Sequence, residues 1–146
     1  MRAVLQRVSA ASVSIDNQLH ASISQGLLVL LAVHQNDSDS DIAWMIAKIL
    51  ECRLFNDDNG KMNLSLQDIQ GELLVVSQFT LYGDLKKGRR PNFMNSAPPE
   101  QAKRLYTHFL EELNAVYPKA KSGIFAANMQ VSLVNDGPVT LILDSP

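Results

Sequence analysis

The chain has 146 residues, 46% of them hydrophobic and 19% charged, with a formal net charge of −2. This balance excludes the class of disordered chains, which combine low hydrophobicity with high net charge. One cysteine, Cys52, excludes an intramolecular disulfide and a cysteine-based zinc cluster. The slightly acidic charge argues against a protein that grips a long stretch of phosphates, so an RNA partner would need a local basic patch.

No segment has the pattern of a signal peptide or of a membrane span. The N-terminal residues lack the apolar stretch of a signal peptide. The longest apolar run, residues 26–33, is far shorter than the ~20 residues that cross a bilayer. We therefore expect a cytoplasmic protein without a membrane partner. The length of the chain predicts a single domain over residues 1–146.

The first third of the chain has the patterns of strands followed by a helix. Residues 2–8 and 11–15 alternate in polarity and predict strands, and residues 26–33 predict a central strand covered on both faces. Helix N-cap residue types are concentrated in residues 36–40. Apolar residues then recur at helical spacing and predict a helix that ends near Leu54. The predicted buried face comprises Ile42, Met45, Ile46, Ile49 and Leu50.

The rest of the chain predicts a strand, a second helix and two final strands. Residues 72–81 form an apolar strand pattern, and Pro98-Pro99 is typical of a helix start. Residues 124–134 alternate, Asn135-Asp136-Gly137-Pro138 is a turn signal, and residues 139–143 return as the last strand. The predicted buried face of the second helix comprises Ala102, Leu105, Phe109 and Leu113. This order predicts an α+β domain with two covering helices.

Two segments stand apart from ordinary structural patterns. At residues 77–81, Ser-Gln-Phe-Thr-Leu, an apolar strand ends in polar side chains grouped around one aromatic ring. This is either a strand end at the surface or a reactive strand end, in which Ser77 or Thr80 supplies a hydroxyl and backbone N–H groups form an oxyanion hole. At residues 135–140, Asn-Asp-Gly-Pro-Val-Thr is either a hairpin turn or a segment that presents its carbonyl groups. Proline after glycine favours the second interpretation, because it removes a hydrogen-bond donor from a returning strand.

A basic loop is the third such segment. Lys86, Lys87, Arg89 and Arg90 place four cations within five residues of a slightly acidic chain. The loop is either a solvated connector or a tRNA-binding, phosphate-contacting patch. The three histidines, by contrast, are scattered and lack metal-ligand spacing, so we expect no metal and no cofactor.

Together these segments resemble the D-aminoacyl-tRNA deacylase family, and the resemblance covers nearly the whole chain. Residues 77–81 and 135–140 make the resemblance specific as a pair, because either motif alone would be weak. The other matching segments are residues 1–8, 26–33, 60–63 and 88–91. The resemblance implies an α+β fold in which two β-sheets form a barrel-like core with two helices packed on one side.

The resemblance also implies a homodimer with its active sites at the subunit interface. One subunit would supply the strand end, and the other would insert Gly137-Pro138 with a cis peptide bond. Arg7 would hold the Gly-Pro segment, and Phe125 and Met129 would line the substrate pocket. The catalytic strand end would comprise Ser77, Gln78, Phe79 and Thr80.

The implied activity is hydrolysis of the ester that joins a D-amino acid to tRNA. Glycyl-tRNA mischarged on tRNA-Ala would also be hydrolysed, whereas L-amino acids would be rejected by the Gly-Pro segment. Backbone N–H groups near Phe79 and Thr80 would stabilise the oxyanion, each by ~2.7–4 kcal/mol. The 2′-hydroxyl of the tRNA would assist in activating water.

Two other hypotheses remain open from the sequence. Thr80 could act as a covalent nucleophile, although no histidine lies near it in the sequence to serve as its base. Alternatively, the chain could bind RNA ends without catalysis, which fits the basic loop but leaves the Gly-Pro segment unexplained.

Overall fold

The computed structural model describes residues 1–146 and contains eight strands, two α-helices and one short 3-10 helix. The strands are β1 (Arg2–Ile15), β2 (Gln18–Ile23), β3 (Gly26–Ala32), β4 (Phe55–Asn56), β5 (Met62–Leu64), β6 (Glu72–Ser77), β7 (Ala120–Ser122) and β8 (Met129–Asp144). The helices are α1 (Asp39–Glu51), the 3-10 helix (Phe79–Tyr82) and α2 (Pro99–Val116). No helix combines the length and the apolar character needed to cross a membrane.

Strand β1 organises the main sheet because three strands pair with it. Its first half pairs antiparallel with β3, its second half with β2, and nearly its whole length with β8. Strand β6 runs parallel to both β3 and β7. Lys121 on β7 donates a hydrogen bond to the Ser22 carbonyl of β2 over 2.7 Å, so the two ends of the strand order approach each other. The α+β class with a nearly closed, barrel-like sheet is confirmed. The second sheet is the small ribbon formed by β4 and β5.

The two faces of the main sheet bury different apolar clusters. Leu27, Val29 and Leu31 of β3 pack in the larger cluster with both α-helices, whereas Leu28 packs in the smaller cluster on the opposite face. The prediction that residues 26–33 form a central strand covered on both faces is therefore confirmed. Both helices lie on the same side of the sheet, and their predicted buried faces are buried in the structure.

Several predicted boundaries were wrong. Residues 2–8 and 11–15 form one strand, because β8 pairs along both segments. Helix α1 ends at Glu51 rather than near Leu54, since Cys52 has an extended backbone with ψ of 128°. Strand β8 begins at Met129, and residues 124–128 form a loop in which Ala126 has a φ of 61°.

The predicted turn at residues 135–138 was also wrong. Strand β8 continues through it, with Gln6 opposite Thr140 and Val8 opposite Asn135. Only Arg7 of β1 lies opposite the four residues 136–139, so this part of β8 bulges away from the ladder. Pairing with β1 on both sides thus replaces the hairpin that the local Asn-Asp-Gly sequence favours.

Candidate functional site

The strand end at residues 77–81 becomes a 3-10 helix rather than continuing as the predicted strand. Strand β6 stops at Ser77, which pairs with Leu31 near the end of β3. The Gln78 N–H still donates to the Leu31 carbonyl over 2.8 Å, after which the chain winds into the 3-10 helix. The helix therefore lies at the carboxyl edge of two parallel strands, and the Phe79 side chain is 57% exposed there.

Carbonyl groups of this 3-10 segment are anchored, whereas its first N–H groups are free. The Phe79 carbonyl accepts a hydrogen bond from the Ser96 hydroxyl over 3.1 Å, and the Leu81 carbonyl accepts one from Arg2 over 3.2 Å. The first N–H groups of a helix have no acceptor within that helix. No side chain or loop carbonyl accepts a hydrogen bond from the N–H groups of Phe79 and Thr80. Two adjacent donors are therefore left for a ligand.

Arg2 anchors the far end of the 3-10 helix. Its guanidinium contacts both carboxylate oxygens of Asp144, at 2.7 and 3.1 Å, and lies 5.1 Å from the centroid of the Tyr82 ring. The hydrogen bond from Arg2 lowers the pKa of the Asp144 carboxyl below its ordinary value, and burial raises the pKa of the Tyr82 hydroxyl. Near neutral pH, Asp144 is therefore charged and Tyr82 is neutral.

The Thr80 hydroxyl lacks a general base. Its hydrogen-bond partner is the side-chain amide of Gln78, which donates to it. An amide has no appreciable affinity for a proton near neutral pH, so this contact orients the hydroxyl without activating it. The nearest histidine contact to the helix is that of His34, whose ring lies edge-on to Tyr82 with centroids 5.1 Å apart.

Arg7 fastens the Gly137-Pro138 bulge to the barrel. The Arg7 side chain is buried and its Nε contacts Asp136 twice, at 3.2 Å to the carbonyl and 3.0 Å to the carboxylate. Its Nη1 donates to the Leu54 carbonyl over 2.7 Å. The next peptide bond, Gly137–Pro138, is cis. One guanidinium thus ties the bulge to the segment that follows α1.

Within one protomer the bulge and the 3-10 segment lie apart. Ser77 pairs with Leu31 of β3, and Leu31 pairs in turn with Ala3 of β1. The bulge instead lies opposite Arg7, on the other side of β1. Four residues of strand separate these positions, or about 13 Å along the strand direction. A single protomer therefore presents two separate groups of residues rather than one assembled site.

Phe125 and Met129 are half-buried and pack against different clusters. Phe125 lies beside Tyr106, with ring centroids 5.8 Å apart, and belongs to the larger cluster. Met129 packs against the smaller cluster, where its sulfur lies beside Gly123. Phe125 lies close to the end of β6, because its neighbour Tyr106 contacts that strand. The Tyr106 hydroxyl donates to the Val75 carbonyl of β6 over 3.2 Å.

The basic loop follows the 3-10 helix directly. Asp84 and Asn92 close it through two backbone hydrogen bonds of 2.8 and 2.9 Å. Its four cationic side chains are exposed, and none of them forms an ion pair or a side-chain hydrogen bond: Lys86, Lys87, Arg89 and Arg90. Their charge is therefore not neutralised within the protomer.

Residues that could bind a metal are dispersed. No group of three or more His, Cys, Asp or Glu side chains has an arrangement that could hold a metal ion. His108 instead contacts Asp39 at 2.9 Å and Glu112 at 3.0 Å on the helical surface. Cys52 is half-buried, and burial raises the pKa of its thiol.

Comparisons with known proteins show the family. The family model described as D-Tyr-tRNA(Tyr) deacylase matches residues 4–144. The chain belongs to this family. It is accordingly an enzyme, a hydrolase of the D-aminoacyl-tRNA deacylase class.

Individual relatives match the chain over nearly its full length. A D-aminoacyl-tRNA deacylase of Petrotoga mobilis is 58% identical over 146 residues, covering 99% of this chain and 97% of the relative. That of Clostridioides difficile is 57% identical over 145 residues, with the same coverage. Among solved structures, a c-Myc DNA unwinding element binding protein is 44% identical with a TM-score of 0.95, covering 100% of this chain and 99% of the other. A probable eukaryotic D-amino acid tRNA deacylase shares the fold, with a TM-score of 0.85 at 17% identity and 97% coverage of each chain.

The structure adds residues to the candidate site that the sequence analysis missed. Ser96 and Arg2 anchor the 3-10 helix, and Asp136 pairs with Arg7. Gln6 donates to Asn135 and Thr140 across the base of the bulge, at 3.3 and 3.4 Å. Asp136, Asn135 and Thr140 lie within the recognised motif, but no local sequence signal indicates Ser96 or Arg2, because their contacts are long-range.

Replacing Arg7 with lysine should lower both stability and deacylase activity. A lysine ammonium cannot contact Asp136 and Leu54 together as the planar guanidinium does, so the Gly137-Pro138 bulge loses its anchor. We expect the free energy of unfolding to fall by about 1–3 kcal/mol. Urea unfolding at one fixed protein concentration measures this change. Arg53→Lys, at an exposed arginine, is the matched control, and equal stability of the two variants would contradict the anchoring role.

Proposed function

We propose that this deacylase hydrolyses the ester of D-aminoacyl-tRNA to free D-amino acid and tRNA, and also hydrolyses glycyl-tRNA mischarged on tRNA-Ala. Family membership supports the D-aminoacyl activity. The observation that supports the mechanism is the pair of free N–H groups at Phe79 and Thr80. Aminoacyl-tRNA is made in the cytoplasm, and we propose that the enzyme works there.

The hydrolysis requires neither a side-chain nucleophile nor a strong base. The ester of aminoacyl-tRNA is activated by its neighbouring ammonium and hydroxyl groups, so a water molecule can attack without a strong base. The N–H groups of Phe79 and Thr80 would stabilise the oxyanion that forms, and the 2′-hydroxyl of the tRNA would assist the attacking water. Collapse of the intermediate breaks the ester bond and leaves the proton on the ribose oxygen. No metal or cofactor enters this scheme.

Two subunits would complete each site. Strand β8 pairs with β1 alone, so its other edge is unpaired over sixteen residues. Apolar side chains along it are exposed, among them Val134 at 60% and Ile142 at 69%. A long apolar edge of this kind favours association with another chain. A two-fold dimer through β8 would cover this edge in both subunits. It could also bring the bulge of one subunit to the 3-10 helix of the other.

Gly137 and Pro138 would provide the chiral selection. A methyl group added at Gly137 would meet only the Asn135 side chain, at 3.4 Å, so the protomer itself has room for a larger residue. This contrasts with Gly26, where the same atom would lie 1.8 Å from the Glu72 carbonyl. We infer that glycine at position 137 leaves space for the substrate. The backbone carbonyls of the bulge, fixed through Arg7, would then block an L side chain.

Hydrolysis should therefore depend on chirality. Wild-type enzyme should release amino acid from D-aminoacyl-tRNA and glycyl-tRNA and spare the matched L-aminoacyl-tRNA. Gly137→Ala should keep its fold and lose most of the D-activity, because its methyl group would occupy the substrate's space. Release of labelled amino acid, with circular dichroism as the folding control, measures both. Equal rates on D- and L-substrates would refute the selection, and binding of tRNA without any release would indicate an RNA-end binding protein.

Thr80→Ala should reduce activity without abolishing it. The variant keeps the Thr80 N–H and loses only a hydroxyl that lacks a base. Single-turnover rates on D-aminoacyl-tRNA measure the loss. Rapid quenching followed by mass spectrometry of the wild type provides the complementary test, since an acyl group attached to Thr80 would establish the covalent route instead.

The enzyme should be a homodimer at micromolar concentration. Sedimentation equilibrium measures the mass directly, and Ile142→Glu should shift it toward the monomer by placing a charge on the exposed edge. Thr107→Glu, on the surface of α2, is the control that should stay dimeric. Full deacylase activity in a monomeric species would contradict the two-subunit site.

The basic loop should control affinity for tRNA rather than turnover. Replacing Arg89 and Arg90 with alanine should raise KM for tRNA and reduce the slope of log K against log salt by ~0.7–0.9 per lost phosphate contact. Lys61 and Lys103, which are exposed elsewhere, provide a control pair of equal charge change. Binding titrations over a range of salt concentrations measure the slope, and identical slopes for both pairs would show that the loop is a solvated connector.

A further inference from the structure

We propose that Ser96 is a positioning residue for the deacylase reaction, because its hydroxyl fixes the peptide group that carries the Thr80 N–H. The proposal rests on the proposed function, in which that N–H stabilises the oxyanion. Ser96 belongs to neither recognised motif, and it lies seventeen residues from Phe79 in the sequence. Its role follows from where its hydroxyl donates.

The geometry of the peptide bond links Ser96 to Thr80. The Ser96 hydroxyl donates to the Phe79 carbonyl over 3.1 Å. That carbonyl and the Thr80 N–H belong to the same planar trans peptide group, in which C=O and N–H point in opposite directions. Holding the oxygen on one side therefore aims the hydrogen on the other. A hydrogen bond to the carbonyl also polarises the group and makes its N–H a stronger donor.

Ser96 is itself held firmly against the barrel. Its N–H donates to the Phe93 carbonyl over 2.9 Å, and it forms a β-bridge with His34, just beyond the end of β3. The next residue, Ala97, donates its N–H to the Val33 carbonyl over 2.9 Å. The hydroxyl is thus presented from a fixed backbone, which lets it define the direction of the Phe79 carbonyl.

The two proposed donors are supported in different ways. The peptide group of the Phe79 N–H has the Gln78 carbonyl at its other end, which accepts the Leu81 N–H over 3.2 Å within the 3-10 turn. The peptide group of the Thr80 N–H receives its side-chain support from Ser96, a residue outside that turn. Within the 3-10 helix the Phe79 carbonyl also accepts the Tyr82 N–H, by the i→i+3 pattern that defines the element. Loss of Ser96 should therefore weaken the support of the Thr80 donor and leave that of the Phe79 donor unchanged.

Loss of the hydroxyl should leave the segment attached. The Phe79 ring still packs edge-on against Phe93, with centroids 5.1 Å apart, and Arg2 still holds the Leu81 carbonyl. The proposal therefore separates a change in catalysis from a change in fold. A purely structural serine would alter stability and substrate binding together.

The test compares Ser96→Ala and Ser96→Thr with Asn95→Ala in the full-length enzyme. Threonine keeps the hydroxyl, and Asn95 is an exposed neighbour whose side chain makes no hydrogen bond. For D-aminoacyl-tRNA, Ser96→Ala should lower kcat by about 2- to 12-fold, the range that one hydrogen bond of ordinary net strength spans. KM should be unchanged, Ser96→Thr should restore most of the rate, and Asn95→Ala should match the wild type.

Failure of this inference is distinguishable from failure of the proposed function. An active wild type whose kcat is unchanged in Ser96→Ala would overturn the role of Ser96 alone. So would a loss shared equally by Ser96→Thr, or a rise in KM with kcat unaffected. A wild type that releases no amino acid from D-aminoacyl-tRNA would instead overturn the proposed function.

Discussion

The pairing of β1 with β8 is the constraint on which the other features of the molecule depend. These strands run antiparallel from Arg2–Asp144 to Ile15–Met129, and the register of the ladder shifts on either side of Val8, at Arg7 and at Ser9. Because pairing resumes on both sides, the extra residues bulge out of the ladder: Asp136, Gly137 and Pro138 are exposed, and Val139 returns to the larger cluster. The buried guanidinium of Arg7 then fixes the direction of this bulge through Asp136. A barrel strand thereby becomes a support for an exposed backbone segment.

The chemical character of the site lies in the backbone. The 3-10 helix keeps its carbonyls bonded to Ser96, Arg2 and its own N–H groups, whereas the N–H groups of Phe79 and Thr80, at the start of the helix, have no partner. An ester that is already reactive needs oriented donors more than it needs a nucleophile. The absence of a base beside Thr80 is therefore consistent with the class of reaction that the family performs.

The hydrophobic core lies largely apart from strand β8 and its bulge. The larger cluster lies between the sheet and the two α-helices, and the smaller one lies within the curled sheet. Most of β8 contributes to neither cluster, and its apolar side chains are exposed. This division leaves most of β8 outside the core, with its bulge and its unpaired edge exposed.

The sequence by itself determined the α+β class, the buried faces of both helices, the central strand and the family, because periodicity and the paired motifs are local signals. It did not determine that residues 136–139 form a bulge, since local turn preference was overridden by pairing with a strand more than 120 residues away. Nor did it reveal that residues 79–82 form a 3-10 helix instead of continuing strand β6, because the end of β6 depends on where its partner β3 ends. The support from Ser96 and Arg2 was equally hidden, since hydrogen bonds between distant segments leave no periodic trace. Tertiary structure decided these points because each requires two segments to meet in space.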